Sequence, residues 1–486
     1  AEPPTMAPVS DTQAAATRAT ISSGTLEGIV ADGIRRFLGI PYAEPPFGPR
    51  RFGLPVAVAP WTGVRDASAF GPTAPQDPYR GAMGELLGSI EIPGEDILTV
   101  NVWAPTAIPD AGLPVMIWYH GGALERGTAA LSIYDGSTFA RDGVVFVSVG
   151  YRLGAEGFSV LEGAPLNLGL ADAAAAFQWV RREVGAFGGD AERITVVGES
   201  AGGAIVAALL MRPDVVDAVA GAVIESGPLE AETAVRAGRV TRQLARRLRV
   251  PATAEAFRAL PPGRLLEARR IQAAGGSPLG GRPGYALAID PATLPVSPHI
   301  GLAGVAAPLI IGTNTDEYRL WFPPEALAKI TRARLLAARL VLRIPGKTVA
   351  VYREALPGAS PGELLGQLAT DRLLRAHAVR GARRRDAPTY LYEFAWPSPV
   401  RDLRAAHALE IGFVFDRGLD PDSIRLAGPD APQSLADRMH GDWVRFIRSG
   451  DPGWPAFRPR GDVQIFDVEP SVSSLPRATA LDALPA

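Results

Sequence analysis

The chain of 486 residues contains no cysteine. That absence excludes disulfides, thiolate metal sites and a thiol nucleophile, and it removes the usual clue to redox compartment. Lysine is nearly missing too: it stands only at Lys329 and Lys347, and arginine supplies the rest of the positive charge. Together with abundant alanine, glycine and proline, this reads as the codon bias of a G+C-rich bacterial genome. Net charge is only −2 and no dense basic block occurs, so the electrostatic footprint of a nucleic-acid partner is lacking. No apolar run approaches the roughly 18 residues of a membrane-spanning helix; no membrane partner is expected. Residues 1–19 are small, polar and proline-rich, with neither the basic start nor the apolar stretch of an uncut signal peptide. They read as a flexible leader on a soluble protein, cytoplasmic rather than secreted.

What is present suits a large folded core. Hydrophobic residues make up 47% and charged residues 21%, close to the average for soluble domains. Apolar β-type runs such as "LPVMIWYH" (113–120), "RITVVG" (193–198), "GAVIESG" (221–227) and "APLIIGT" (307–313) alternate with helix formers such as "LADAAAAFQWVRREV" (170–184). Strands that read as continuous apolar runs between helices imply a mostly parallel sheet covered on both faces. Residues 20–486 therefore read as one α/β domain, with reactive groups gathered at the carboxyl ends of the strands. The stretch from about 320 to 400, including "KITRARLLAARLVLR", is richer in helix and arginine. It reads as an inserted helical layer near the site, its charge a solvated face.

Gly198-Glu199-Ser200-Ala201-Gly202 fits G-x-S-x-G, with an apolar strand pattern before it and a helical pattern after it. Such a turn exposes the serine at a helix amino end, where N–H groups favour developing negative charge. A serine hydroxyl needs a base within hydrogen-bond reach and an acid to orient that base. Of the five histidines, His440 and His377 lie inside helical patterns and His120 opens "HGGA". His407, in "RAAHALEIGFVF", sits in a loop downstream of the serine and is the preferred base, with His299 the alternative. The strand "APLIIG" delivers Asp316 and Glu317 as candidate acids; position alone leaves both open. In "YHGGALERG" the glycines free the backbone to turn N–H groups toward an oxyanion.

These blocks resemble the type-B carboxylesterases, α/β-hydrolases that include bacterial p-nitrobenzyl esterases and the cholinesterases. The likeness runs from about residue 24 to 470 and includes "FLGIPYAEPPFGPRRF", "GEDILTVNVWAP", "FGGDAERITVVGESAGG", "GTNTDEY" and "HALEIGFVF". It implies the α/β-hydrolase fold, with Ser200 as nucleophile, Glu317 as acid and His407 as base. It further implies oxyanion donors at Gly122, Ala123 and Ala201, and supporting roles for Gly121, Glu199 and Ser226. Leu124 stands where the family often has an aromatic residue, next to an acyl pocket. Glu125 and Arg126 then read as a solvated pair. Ile97 and Thr99 replace a cysteine-containing pattern of extracellular members. The expectation is a serine carboxylesterase acting on a small-molecule ester and water through an acyl-enzyme, with no cofactor and no metal. The rival readings are an amidase, carbamate or lactone hydrolase using the same triad, and a non-catalytic cholinesterase-like binding module.

Overall fold

A computed structural model describes residues 15–274 and 284–485. Thirteen strands form one sheet: β1 (Ala15–Ile21), β2 (Gly24–Ala31), β3 (Ile34–Pro41), β4 (Val64–Asp66), β5 (Thr99–Pro105), β6 (Leu113–Tyr119), β7 (Val145–Val149), β8 (Gly189–Glu199), β9 (Gly221–Glu225), β10 (Leu309–Asn314), β11 (Thr389–Phe394), β12 (Asp462–Phe466) and β13 (Ser471–Ser474). The order is β1-β2-β3-β5-β7-β6-β8-β9-β10-β11-β12-β13, with β4 against β2. From β7 to β12 all neighbours are parallel, and antiparallel strands close both sides.

The central strands are apolar throughout because both faces are covered. Along β6 the side chains alternate between two cores: Val115, Ile117 and Tyr119 pack on one face, Met116 and Trp118 on the other. The first core takes the helices Leu168–Glu183 and Ala201–Leu209, and the second takes Gln433–Ser449 with the aromatic group around Trp118, Phe146 and Phe415.

Several sequence boundaries shift. Residues 15–19, assigned to the leader, belong to β1, whose register pairs Ala19 with Leu26; residues 1–14 lie outside the described residues. Within the stretch from 320 to 400, helices run from Pro324 to Arg384, so the insertion ends earlier, and Thr389–Phe394, in the apolar β-type run "PTYLYEFAW" (388–396), is a strand of the main sheet as that run implies. A second helical insertion, from Ala234 to Ala273, separates β9 from β10 and was not anticipated. No helix among the described residues is long and apolar enough to cross a membrane.

The tightest constraint on the layers falls at the turn after β8. A Cβ on Gly202 would lie 1.9 Å from the Tyr119 carbonyl oxygen of β6. The helix can therefore approach the sheet only if that position has no side chain. Gly202→Ala should lower stability by about 1–3 kcal/mol through overpacking, read as a drop in the thermal midpoint by circular dichroism. An unchanged midpoint would mean that the helix can move away from the sheet at little cost.

Candidate active site

Ser200 follows the last residue of β8 and precedes the helix Ala201–Leu209, with φ 55° and ψ −121°. A non-glycine residue holds that left-handed backbone only where its surroundings enforce it. Enforcement comes from the Ser200 N–H, which donates to the Glu225 carbonyl at 2.8 Å, and from the glycines that let helix and strand meet. The hydroxyl is held where sheet and helix amino end converge.

The sheet brings the other candidates to the same edge. Glu317 leaves the end of β10, and His407 comes from the loop after β11. The two loops are stitched together: Asp316 N–H donates to Ala405 O at 2.9 Å, and the Asn314 side-chain amide donates to Ala406 O at 2.7 Å. His407 Nε2 lies 2.8 Å from Ser200 Oγ, and its Nδ1 lies 2.6 Å from Glu317 Oε2. A carboxylate only accepts, so Nδ1 carries a proton, and when the ring is neutral Nε2 faces the hydroxyl with its lone pair. Glu317 is fixed from behind, its Oε1 accepting from Ser226 Oγ at 2.6 Å and from Asn314 N–H at 2.8 Å. Glu317 and His407 are both buried, and the ring of Trp321 covers the imidazole at 4.7 Å between centroids.

The environment of His407 is acidic. Glu199, behind the serine, brings Oε1 to 3.1 Å from Nε2. Glu410, three residues beyond His407 in the same turn, accepts from Asn314 Nδ2 at 2.5 Å, and Glu225 accepts from Trp443 Nε1 at 2.7 Å. Burial pushes Glu199 up to about 8 and Glu410 up to about 7, and it raises Glu225 strongly. Burial alone would depress His407, but the charges of Glu199 and then Glu317 outweigh it and hold the imidazole up at about 9. Glu199 and His407 thus compete for one proton. Glu410, Glu225, Asn314 and Trp321 were not found from the sequence. Glu410 left one trace there, an acid within the apolar run "ALEIGFVF".

The loop after β6 runs through left-handed backbone at Gly122 (φ 116°), Ala123 (φ 57°) and Leu124 (φ 60°). Among the described residues no backbone carbonyl accepts the N–H groups of Gly122, Ala123 or Ala201. Gly121 abuts the nucleophile turn, where a Cβ would lie 2.7 Å from Glu199 Oε2 and 3.2 Å from Ser200 Cβ. The loop is held by Glu125 N–H on Gly122 O at 3.0 Å, by Gly154 N–H on Leu124 O at 2.7 Å, and by Gln76, which bonds both backbone groups of Gly127. Leu124 is buried.

Glu125 and Arg126 are not the solvated pair expected from sequence. The Glu125 carboxylate takes the Arg269 guanidinium, including Nε at 3.2 Å, and Arg126 lies 5.1 Å over the Tyr79 ring. The reason is tertiary: the helix Pro262–Ala273, of the unanticipated insertion, lies alongside the loop.

The remaining histidines have other partners. His440 bonds Val414 O and Asp142, and His299 bonds Ser297 and stacks edge-on against His377. His120 donates to Gly121 O at 2.8 Å and is held down at about 4 by burial. Asp316 hydrogen-bonds neither His407 nor Ser200; Glu317 does meet His407. No group of three or more His, Asp or Glu side chains among the described residues is arranged to hold a metal ion.

The profile described as the carboxylesterase family matches residues 15–469. The chain belongs to that family. It is 34% identical over 494 residues to the para-nitrobenzyl esterase of Bacillus subtilis (strain 168), covering 94% of this chain and 96% of that protein. It is also 34% identical over 457 residues to the phenmedipham hydrolase of Pseudarthrobacter oxydans, covering 90% and 92%. A solved PNB esterase superposes with TM-score 0.85 at 31% identity, over 96% of this chain and 99% of that one. The Geobacillus stearothermophilus carboxylesterase gives the same TM-score and identity over 96% and 100%. The fold is thus the α/β-hydrolase fold of these esterases, and the protein is a carboxylic ester hydrolase.

Because the Glu199 charge raises the imidazole, Glu199→Gln should move the His407 pKa downward. An NMR titration of the ring protons reads this directly. A pKa that stays put or rises would show that Glu199 carries no charge beside the imidazole.

Proposed function

We propose that this carboxylesterase hydrolyses carboxylic esters through an acyl-enzyme formed on Ser200. The observation that carries this reading is the continuous chain Ser200 Oγ, His407, Glu317, ending on a strained turn at a helix amino end. His407 Nε2 takes the hydroxyl proton as Oγ attacks the ester carbonyl carbon. The carbonyl oxygen becomes an oxyanion, and the N–H groups of Gly122, Ala123 and Ala201 receive it; one such donor is typically worth about 3–4 kcal/mol. The tetrahedral adduct collapses, and the alcohol leaves with the proton from Nε2. Water then gives a proton to Nε2, attacks the acyl carbon and releases the acid, and Ser200 recovers its proton.

Glu317 fixes the Nδ1–H tautomer and offsets the charge of the imidazolium, with Ser226 and Asn314 fixing Glu317 in turn. Glu199 faces the Nε2 proton of the imidazolium and supplies a second negative partner at that stage. The imidazole must be unprotonated to begin, so turnover rises with pH through the His407 titration. Of the acyl bonds that such a triad can open, the ester is the one shared by the family description and by the names of most relatives. Leu124 lies beside the oxyanion donors and helps to bound the acyl group.

Ser200→Ala should lower kcat on a p-nitrophenyl acyl ester by roughly 10⁴-fold or more, and a phosphonate inhibitor should label Ser200 alone by mass spectrometry. Near-normal turnover in the variant, or label on another residue, would sink the assignment.

The Glu125–Arg269 contact is assigned a positioning role on the oxyanion loop. Consecutive left-handed residues are strained, and a side-chain anchor beside them keeps the two loop N–H groups convergent. Glu125→Gln should lower kcat by roughly tenfold with little change in KM, and the exchanged pair Glu125→Arg with Arg269→Glu should recover much of it. A rise in KM at constant kcat would place Glu125 in substrate binding instead.

A further inference from the structure

The helix Arg332–Val341 is turned the wrong way round for a surface helix. Leu335 alone of its residues is fully buried, packed toward the helix Pro361–Thr370. Leu336, Leu340 and Val341 are 53%, 64% and 79% exposed. At 100° per residue, Leu336, Leu340, Ala333, Ala337 and Val341 form one outward stripe, with Arg332 and Arg334 at its two margins. A surface helix normally directs its apolar stripe to the core. Here the stripe faces solvent.

Along the chain, the charge flanking the stripe is of one sign. Between Glu325 and Glu354 no acidic residue occurs, and the interval holds Lys329, Arg332, Arg334, Arg339, Arg343, Lys347 and Arg353. Both lysines of the chain are among them. A net charge of −2 that includes these seven cations leaves −9 for the other residues. All seven except Arg339 are exposed. No salt bridge among the described residues involves any of them. Arg334 and Arg339 instead reach the backbone carbonyls of Lys329 at 3.0 Å and Ile344 at 3.4 Å. No acidic side chain among the described residues neutralises these cations.

From this geometry we infer that the outward face of Arg332–Val341 is a docking surface for an anionic lipid layer. The apolar stripe enters the interface, and the flanking cations meet the headgroups, as in helices that lie in the membrane plane. A second copy of the chain is a poor occupant. A two-fold interface would set this face against itself, bringing like charges together with no acid in the interval to pair them. An acidic protein would satisfy the cations, but the stripe is convex and offers it no groove. The surface begins soon after Trp321, which covers His407, so an adsorbed molecule would hold this part of the site rim near the lipid.

The full chain should co-sediment with phosphatidylcholine vesicles containing roughly one-third phosphatidylglycerol, and not with pure phosphatidylcholine. Binding should weaken in about 0.5 M salt, where charge screening is short-ranged. The variant Leu336→Ser with Leu340→Ser and Val341→Ser should bind the anionic vesicles roughly tenfold more weakly. Hydrolysis of a short water-soluble ester should not change, because no altered side chain belongs to the site. A charge variant, Lys329→Gln with Arg332→Gln, Arg334→Gln and Arg343→Gln, should also lose binding and covers the case in which the serines disturb the helix. The inference is overturned if wild-type protein ignores anionic vesicles, or if both variants bind as well as wild type. It is also overturned if light scattering shows a dimer that the triple serine variant converts to monomer, or if polyglutamate binds as tightly as the vesicles and the serine variant keeps that affinity.

Discussion

The register of three parallel strands is the constraint on which the rest depends. Glu199 of β8 pairs with Glu225 of β9, and Glu225 pairs with Gly312 of β10. Ser200, Ser226 and the turn to Glu317 therefore leave the sheet at one level. Each exit is locked by its neighbour, Ser200 N–H on Glu225 O at 2.8 Å and Ser226 N–H on Gly312 O at 2.9 Å. A slip of one residue would turn every side chain of the slipped strand to the opposite face. It would bring Val197 into the layer of Val196 and carry the serine turn out of reach of His407.

The same convergence buries four carboxylates, those of Glu199, Glu225, Glu317 and Glu410, of which Glu199, Glu317 and Glu410 act on the single imidazole of His407. Four unpaired charges could not persist in such a place, because desolvation would exceed any attraction that one histidine offers. The structure treats them differently through burial and through the partners it gives each one. Glu317 accepts two bonds in addition to its contact with His407. Burial pushes Glu225 and Glu410 toward the protonated form, against the Trp443 indole and the Asn314 amide, whose donated hydrogen bonds favour the charge. Glu199 is raised as well, but it faces the ring nitrogen that faces the serine. A proton shared between Glu199 and His407 thus lies beside the ring nitrogen that meets Ser200 Oγ.

What could be read from the sequence was what is encoded locally. The strand, turn and helix around Ser200 lie within some twenty consecutive residues, and the glycines that the turn requires are adjacent to it in the chain. Glu317 was legible because it directly follows a strand, although choosing it over Asp316 took the resemblance to the carboxylesterases; side-chain direction separates them in space. Glu125 was misread because its partner, Arg269, is 144 residues away on a helix whose position no local pattern reveals. Residues 15–19 are too polar and small to signal a strand, and only pairing with β2 makes them one. In "RARLLAARLV" the helical period was plain, but periodicity does not say which stripe faces in. Leu335 and Leu336 are neighbours of one type, and packing on Pro361–Thr370 buries only the first.

That last contrast bears on how the segment after β10 is built. Its first part is fixed from all sides: Glu317 by Ser226, Arg319 by Asp402 and Glu363, and Trp321 against His407. Its second part, from Lys329 to Lys347, is fixed from one side only, through Leu335, Ile344 and the helix beneath. One-sided packing leaves a helix with fewer buried contacts and lower local stability than the core. The gradient runs along one stretch of chain, from a firmly held site edge to a loosely backed cationic face. The register that sets Ser200, His407 and Glu317 in line therefore lies in the firmly held part.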